Sequence, residues 1–483
     1  MSKFLANVIK LGSATILGQI LGFIVTPILS RLYTPADFGI YQLFLSIMVF
    51  IAIISSLSYY GAINLPKKHE DGAGIVLLCL FLIVITSLFT TIFFFVFSGY
   101  IGQVLNAPGL SSYLFLLPVA ILCNSIAYVL ALWLSRKEEF GTVAKANLFS
   151  SITGKATSVS AGIISPSPFG LIFGTIINDF TIVLITLKKT IPDFHYFQKV
   201  SLNDIKQQAK EYKNFPKYVA VTNLANAASG SITPFFLMLF FSPIIVGYYA
   251  MAQMTINAPL KLIGNSLGSV FYQKACIEKN LNGSVKNIVK TVHTRLISMG
   301  MFPCLLIMIM GPELFTFILG AQWTIAGLYA QIFMPWFFVM FISVPINAIY
   351  SVLEMQQISL RFTVVLLISR IIMLLIGGYS GDPIIMMILF SSTGVILWSW
   401  MNFYTLKIAG VSVRGAIDEI ILYLVFGIIL CSPLILGKYF SIQSTVLIII
   451  AVIISGIYYS IIFHRDTQLK KGLFDFVRNI FQK

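Results

Sequence analysis

The chain has 483 residues, of which 58% are hydrophobic and only 10% charged, against about 25% charged in ordinary soluble domains. A soluble fold cannot hide that much apolar side chain, and so few charges would not keep one dissolved despite a formal charge of +15. This excludes a soluble enzyme, a disordered chain and a nucleic-acid-binding domain, and unbroken apolar runs such as Val446–Ile454 exclude the alternating pattern of an outer-membrane barrel.

Lys3 and Lys10 precede an apolar stretch from Leu11 to Leu29, within the first predicted span, 8–30. It is longer than a signal-peptide core and no cleavage motif follows, so it is expected to be retained. Spans at 39–64, 74–98 and 112–135 come next, then a helical hairpin of 145–164 and 169–187 closed by Ser165–Pro168. A hydrophilic segment from Lys188 to Asn214, with Lys199, Lys206, Lys210 and Lys213, separates these from spans 215–241, 244–270, 291–311, 324–350, 358–377 and 384–406. Two more, 416–436 and 441–463, precede a tail that alternates Leu473, Phe476, Val477 and Ile480 with Lys470, Lys471 and Arg478, the pattern of a basic interfacial helix. The expected class is therefore all-α and polytopic, with about 14 transmembrane helices. The expected divisions are an N-terminal six-helix lobe 1–190, a cytoplasmic linker 191–214, a C-terminal six-helix lobe 215–407, two additional helices 408–463 and a tail 464–483.

Charge tests this count independently, because cytoplasmic loops hold the Lys/Arg excess. With the N-terminus inside, nearly all of the 32 cations fall in inside loops; only Arg31 and Lys438 lie outside, and Lys155, Lys261 and Arg370 lie within spans. A miscount of one span would put successive loops out of phase, so both termini are expected inside. The five cysteines and four histidines lack metal-ligand spacing, and there is no phosphate-binding glycine loop. No metal, no cofactor and no catalytic residue are expected.

An offset of 207 residues aligns Lys10 with Lys217, Gln19 with Asn226, Pro27 with Pro234 and Lys67 with Lys274; an offset of 208 aligns Gly39 with Gly247 and Tyr41 with Tyr249. Six spans per half give both halves the same orientation, a parallel repeat. Two lobes around a central cavity, able to alternate between inside-open and outside-open, are expected.

Ionisable groups at membrane depth are costly, by about 2.5–3.5 kcal/mol on insertion scales, and usually face a cavity or a partner. Lys155 and Asp179 sit at nearly equal depth on the hairpin, either as a structural ion pair or as a cation site with a protonatable partner. Lys261 follows Asn257 and Pro259, and the proline is expected to break the helix and expose polar backbone to a cavity. Arg370 is nine residues beyond Arg361, roughly 14 Å along a helix, and so also deep. Arg31 closes the first span. Pairs such as Gly18 and Gly22, Gly170 and Gly174, and Gly264 and Gly268 read as helix-packing faces, and Trp398, Trp400 and Tyr404 as an interfacial belt.

The stretch Pro27–Phe44, the segment Ala62–Lys67 and the region Val246–Ala250, Pro259–Gly264 and Val270–Ala275 resemble Wzx-type O-antigen and polysaccharide flippases, the polysaccharide branch of the multidrug, oligosaccharidyl-lipid and polysaccharide exporters. The resemblance covers about the first 280 residues. It implies a flippase in the bacterial plasma membrane that carries undecaprenyl-pyrophosphate-linked oligosaccharide from the inner to the outer leaflet, coupled to H+ or Na+. A polysaccharide polymerase and a chain-length regulator are the implied partners beside membrane lipids. Lys261, Lys155, Arg370, Arg31 and Asn257 are then the candidates for holding the substrate, and Asp179 for ion coupling. Ser58-Tyr59-Tyr60 departs from the family, whose members commonly carry Arg and Glu there. A multidrug cation antiporter shares the architecture but would want acidic groups in its cavity, whereas the buried cations here outnumber the acid. A membrane glycosyl polymerase or ligase would want a long external loop, and the long hydrophilic loop here is internal.

Overall fold

The computed structural model describes residues 3–353 and 355–466, with the side chains of 3–16, 258–270, 273, 282 and 356 outside the description. Glu354 and most of the expected tail lie outside it. All regular structure among the described residues is helical. Packing divides the chain into Met1–Ala250 and Met251–Lys483.

The first unit contains α1 (Lys3–Leu32), α2 (Pro35–Ser55), α3 (His69–Val104), α4 (Pro108–Leu114), α5 (Leu117–Arg136), α6 (Phe140–Ile164), α7 (Pro168–Thr190), α8 (Phe194–Gln198), α9 (Leu202–Glu211), α10 (Ala220–Ser231), α11 (Thr233–Phe240) and the opening turns of α12 (Pro243–Asn282). The second contains the rest of α12, α13 (Lys286–Leu319), α14 (Thr324–Ser343), α15 (Ile349–Val352), α16 (Gln356–Tyr379), α17 (Pro383–Ile408), α18 (Val413–Tyr439) and α19 (Ser444–Arg465).

Ten helices are long and apolar enough to cross a membrane, and α1 adds a shorter apolar stretch, Leu17–Leu32. Their outward faces are as apolar as their inward ones: Phe95, Leu184 and Ile429 are all more than half exposed. A helix apolar all round and not buried in protein belongs in lipid, and the chain is a multi-pass membrane protein. Helix α6 is too rich in Ser, Thr and Lys to count among the ten, yet it packs along both α1 and α7. The small-residue faces explain this closeness. A Cβ on either Gly154 or Gly174 would lie 2.7 Å from the other's carbonyl oxygen. Tyr33 seals the same seam, its hydroxyl donating to the Ser158 carbonyl at 2.6 Å. Gly22, by contrast, has nothing within 4 Å of its absent Cβ.

Local chemistry sets the element ends. Thr34 caps α2: its hydroxyl accepts from the Asp37 N–H at 3.2 Å, the Asp37 carboxylate accepts from the Thr34 N–H at 2.8 Å, and Pro35 fills the first helical position. The second span is shorter than the expected 39–64. Helix α2 stops at Ser55, because Leu57 and Ser58 both take left-handed backbone (φ 47° and 60°), and the chain then makes a short 3-10 turn, Tyr59–Ala62. Arg136, at the end of α5, gathers the loop that follows. Its guanidinium donates to the carbonyls of Ile63 at 2.8 Å, Pro66 at 2.7 Å and Lys68 at 2.7 Å.

Two positions that share the expected offset meet within the first unit. Pro35 and Gly39 of α2 and Pro243 and Gly247 of α12 share the offset of 208 residues. A Cβ on Gly39 would strike the Pro243 carbonyl, and a Cβ on Gly247 would strike the Pro35 carbonyl. The two helix starts cross reciprocally, backbone on backbone.

Candidate functional site

In the first unit α2, α5 and α7 share a polar seam. Tyr41 and Thr175 bond hydroxyl to hydroxyl at 2.8 Å, and Ser55 and Ser125 do the same at 2.9 Å. At the centre of the seam is Asp179 of α7, only 6% exposed. One carboxylate oxygen accepts from the Asn124 amide of α5 at 2.9 Å and the other from the Asn178 amide at 2.9 Å. A buried carboxylate needs such donors, and two neutral amides satisfy it without cancelling its charge.

Asn124 also borders a cavity of about 170 Å³ whose polar wall is Ser56, Tyr60, Ser125 and Tyr128. The rings of Tyr60 and Tyr128 meet edge to face at 4.9 Å between centroids. Asn223 of α10 donates to the Ser58 hydroxyl at 3.2 Å and the Tyr60 hydroxyl at 3.1 Å. The segment Ser58-Tyr59-Tyr60 thus holds an uncharged hydroxyl–amide cluster beside the cavity. The arrangement can hold a cation or proton at Asp179 and can hydrogen-bond a hydroxyl-rich group at the Tyr and Asn side chains.

Lys155 and Asp179 are not paired. Among the described residues no ion pair or hydrogen bond reaches the Lys155 ammonium. Gly154 and Ser158 form the face of α6 that meets α7, and Lys155 lies about 100° round the helix from Gly154. Its equal depth with Asp179 does not give it an equal direction.

In the second unit Arg370 is 7% exposed, with its guanidinium carbon 5.0 Å from the ring centre of Trp336 and 5.2 Å from that of Phe390. Ring faces attract a desolvated cation, so an aromatic cage accommodates this buried charge. Asn257 is half-buried and donates to the Gln253 side chain one turn back at 2.7 Å. Lys261 lies on α12, a single helix through Pro259, and its side chain falls outside the described residues. Arg31 is exposed in the last turn of α1. Among the candidates, Asp179 and Lys155 share the α6–α7 hairpin, while Arg370 and Asn257 occupy separate places in the second unit.

Sequence reasoning did not find Asn124, Asn178, Tyr60, Tyr128 or Asn223. His293, near the start of the expected span 291–311, belongs to a second buried polar group. The ring is 1% exposed inside α13, its Nε2 is 3.1 Å from the Asn402 side-chain oxygen, and the Asn402 amide donates to the Ser343 hydroxyl at 3.0 Å. Polar residues at every third position of an apolar helix, Ser399, Asn402 and Thr405, are the signal that would have drawn attention to Asn402.

Comparison with known proteins agrees with this fold. A Klebsiella pneumoniae protein, an uncharacterised membrane protein in a cps region, is 24% identical over 369 residues, 74% of this chain and 72% of that one. The solved structure of the lipid II flippase MurJ in an inward closed conformation superposes with a TM-score of 0.67 at 15% identity, covering 94% of this chain and 98% of that one. An inward-facing multidrug resistance MATE family transporter of the MOP superfamily gives 0.58 at 14% identity, over 84% and 99%. Both structures are of proteins that move molecules across membranes, not of enzymes. The model of the polysaccharide biosynthesis protein family matches residues 28–328, well over half of the chain, and the chain belongs to that family.

Proposed function

We propose that this chain is a flippase that carries undecaprenyl-pyrophosphate-linked oligosaccharide, a surface-polysaccharide repeat unit, from the inner to the outer leaflet of the bacterial plasma membrane by alternating access. Fourteen crossings with both termini inside belong to this reading, and the positive-inside charge pattern supports them. A pyrophosphate–sugar head group cannot cross hydrocarbon unaided, whereas its polyprenyl tail stays in lipid. The protein must therefore supply cations and hydrogen bonds to the head group alone. Lys155, Lys261 and Arg370, with Arg31 and Asn257, are the groups proposed to receive it, and H+ or Na+ at Asp179 is proposed to drive the cycle.

The observation that carries the reading is the buried Asp179 carboxylate, held by Asn124 and Asn178 beside a Tyr- and Asn-lined cavity, in a chain of the polysaccharide biosynthesis protein family. Likeness to a lipid II flippase supports a lipid-linked cargo. The experiment is Asp179→Asn in cells that depend on this gene for surface polysaccharide. Export is expected to fall at unchanged protein level and to lose its dependence on external pH or Na+. Normal export with normal pH and Na+ dependence would refute the coupling role. Likeness to a multidrug transporter favours cationic-drug efflux as the second reading; drug accumulation that responds to the gene while surface polysaccharide does not would select it.

A further inference from the structure

Three membrane helices of the second unit end around one cavity of about 510 Å³. Lys286 and Lys290 come from the start of α13, Lys407 from the end of α17, and Ser412 and Glu419 from the start of α18. Among the described residues none of the three ammonium groups makes an ion pair or hydrogen bond. The one carboxylate in the wall, Glu419, is occupied by the Thr294 hydroxyl, which donates to it at 2.6 Å.

This arrangement works against local stability. Lys286 and Lys290 are four residues apart, where like charges repel. Both sit in the first turns of α13, where the helix dipole disfavours a cation. Lys407, in the last turn of α17, is favoured by its own helix, but it adds a third positive charge to the same space. The wall also includes the start of α18, where the Ser412 hydroxyl accepts from Gly415 N–H and the first-turn amides add further positive potential. Gly410, with φ +75°, turns the chain tightly there, and a Cβ added to it would lie 4.0 Å from the Lys286 side chain. Converging cations and helix starts with almost no counter-charge lower their free energy by taking up an anion.

We propose that this cavity binds a phosphate group, at the membrane–water boundary where these helices end. An anionic phospholipid headgroup and a soluble phosphate carry the same chemistry, so the test separates the two sources. The purified full chain is placed in nanodiscs of phosphatidylcholine, and its apparent affinity for cardiolipin is measured by lipid exchange. Inorganic pyrophosphate is titrated in parallel. Binding of cardiolipin but not pyrophosphate, lost when the three lysines are replaced by glutamine, supports the site and assigns it to a phospholipid headgroup; binding of pyrophosphate that is lost on the same replacement supports the site and assigns it to a phosphate ligand other than a phospholipid. The variant K286Q/K290Q/K407Q is expected to bind about tenfold or more weakly, and K286R/K290R/K407R to retain most of the affinity. Should the glutamine variant not fold, the single variant K290Q and a salt titration of the wild type serve instead, with weakening expected in each as charge is removed or screened. Wild-type protein that binds neither probe overturns the proposal. So does a folded triple-glutamine variant, or a K290Q variant, that binds as tightly as wild type with no salt dependence.

Discussion

Replacing Gly39 by Ala tests the crossing of α2 and α12 in the first unit. The added carbon would overlap the Pro243 carbonyl oxygen and lie 2.7 Å from its carbon, and Gly247→Ala would likewise place a carbon 2.6 Å from the Pro35 carbonyl carbon. The obstacle is backbone in both cases, so no rotamer change relieves it and the helices must separate. Overpacking of this kind costs about 1–3 kcal/mol, against a gain of up to about 1 kcal/mol from alanine's better helix propensity. The clash wins at both positions. Gly22→Ala supplies the control: with open space around it, only the propensity gain remains. In detergent, Gly39→Ala and Gly247→Ala are expected to melt below wild type and Gly22→Ala at or above it, with a spread of roughly 2–4 °C. The double variant should cost less than the sum, because both carbons separate the same pair of helices. A Gly39→Ala protein that melts as high as Gly22→Ala would refute the backbone-on-backbone crossing.

Arg136→Met keeps bulk but removes the donors to three carbonyls, and about 2–3 kcal/mol of local stability should go with them; limited proteolysis is expected to cut between residues 59 and 68 in the variant and not in wild type. Asn124→Leu removes one of two amides from a buried carboxylate while leaving Asp179 in place, so export should fall and its pH dependence move, and an unchanged pH profile would separate Asn124 from the coupling step. Asp204, outside the spans, accepts the Ser201 N–H and hydroxyl at the start of α9, and these bonds hold its carboxyl below the usual range. A depressed folded pKa means the cap is in full force above the ordinary carboxylate value, about 3.9, and is lost as pH falls through the lowered one; protection of the first turn of α9 against hydrogen exchange, relative to the unstructured rate at the same pH, should therefore fall at the acid end in wild type and be lower at every pH above it in Asp204→Asn.

Much of the helix pattern could be read from the sequence because hydropathy and positive-inside charge report depth. Helical residues overlap the expected spans, the polar α6 among them, but 215–241 is divided between α10 and α11, and ten helices among the described residues are long and apolar enough to cross a membrane. Depth alone does not give direction or partner. Lys155 and Asp179 are each next in sequence to a residue of the α6–α7 contact, Gly154 and Asn178, but an ion pair depends on azimuth, and Gly154 rather than Lys155 faces α7. Arg370 is buried, and its cage comes from Trp336 and Phe390 on other helices. Likewise, nothing local ties Asp179 to Asn124, which lies 55 residues earlier. The second span was overrun because the left-handed turn at Leu57 and Ser58 contains no glycine to announce it. Trp398, read as part of an interfacial belt, packs edge to face on Phe362 at 5.1 Å, within a core cluster.

The clasp that Arg136 makes on the loop before α3 has a consequence for biosynthesis. The loop carbonyls leave the ribosome long before the side chain that will hold them: Lys68 and Arg136 are 68 residues apart. At about 5–20 residues per second, the loop waits roughly 3–14 seconds, while α3 to α5 enter the membrane, before its fastener exists. Pausing of translation within this stretch would lengthen the period in which the loop is open to proteases or to a chaperone, and release of the α5 end would close it.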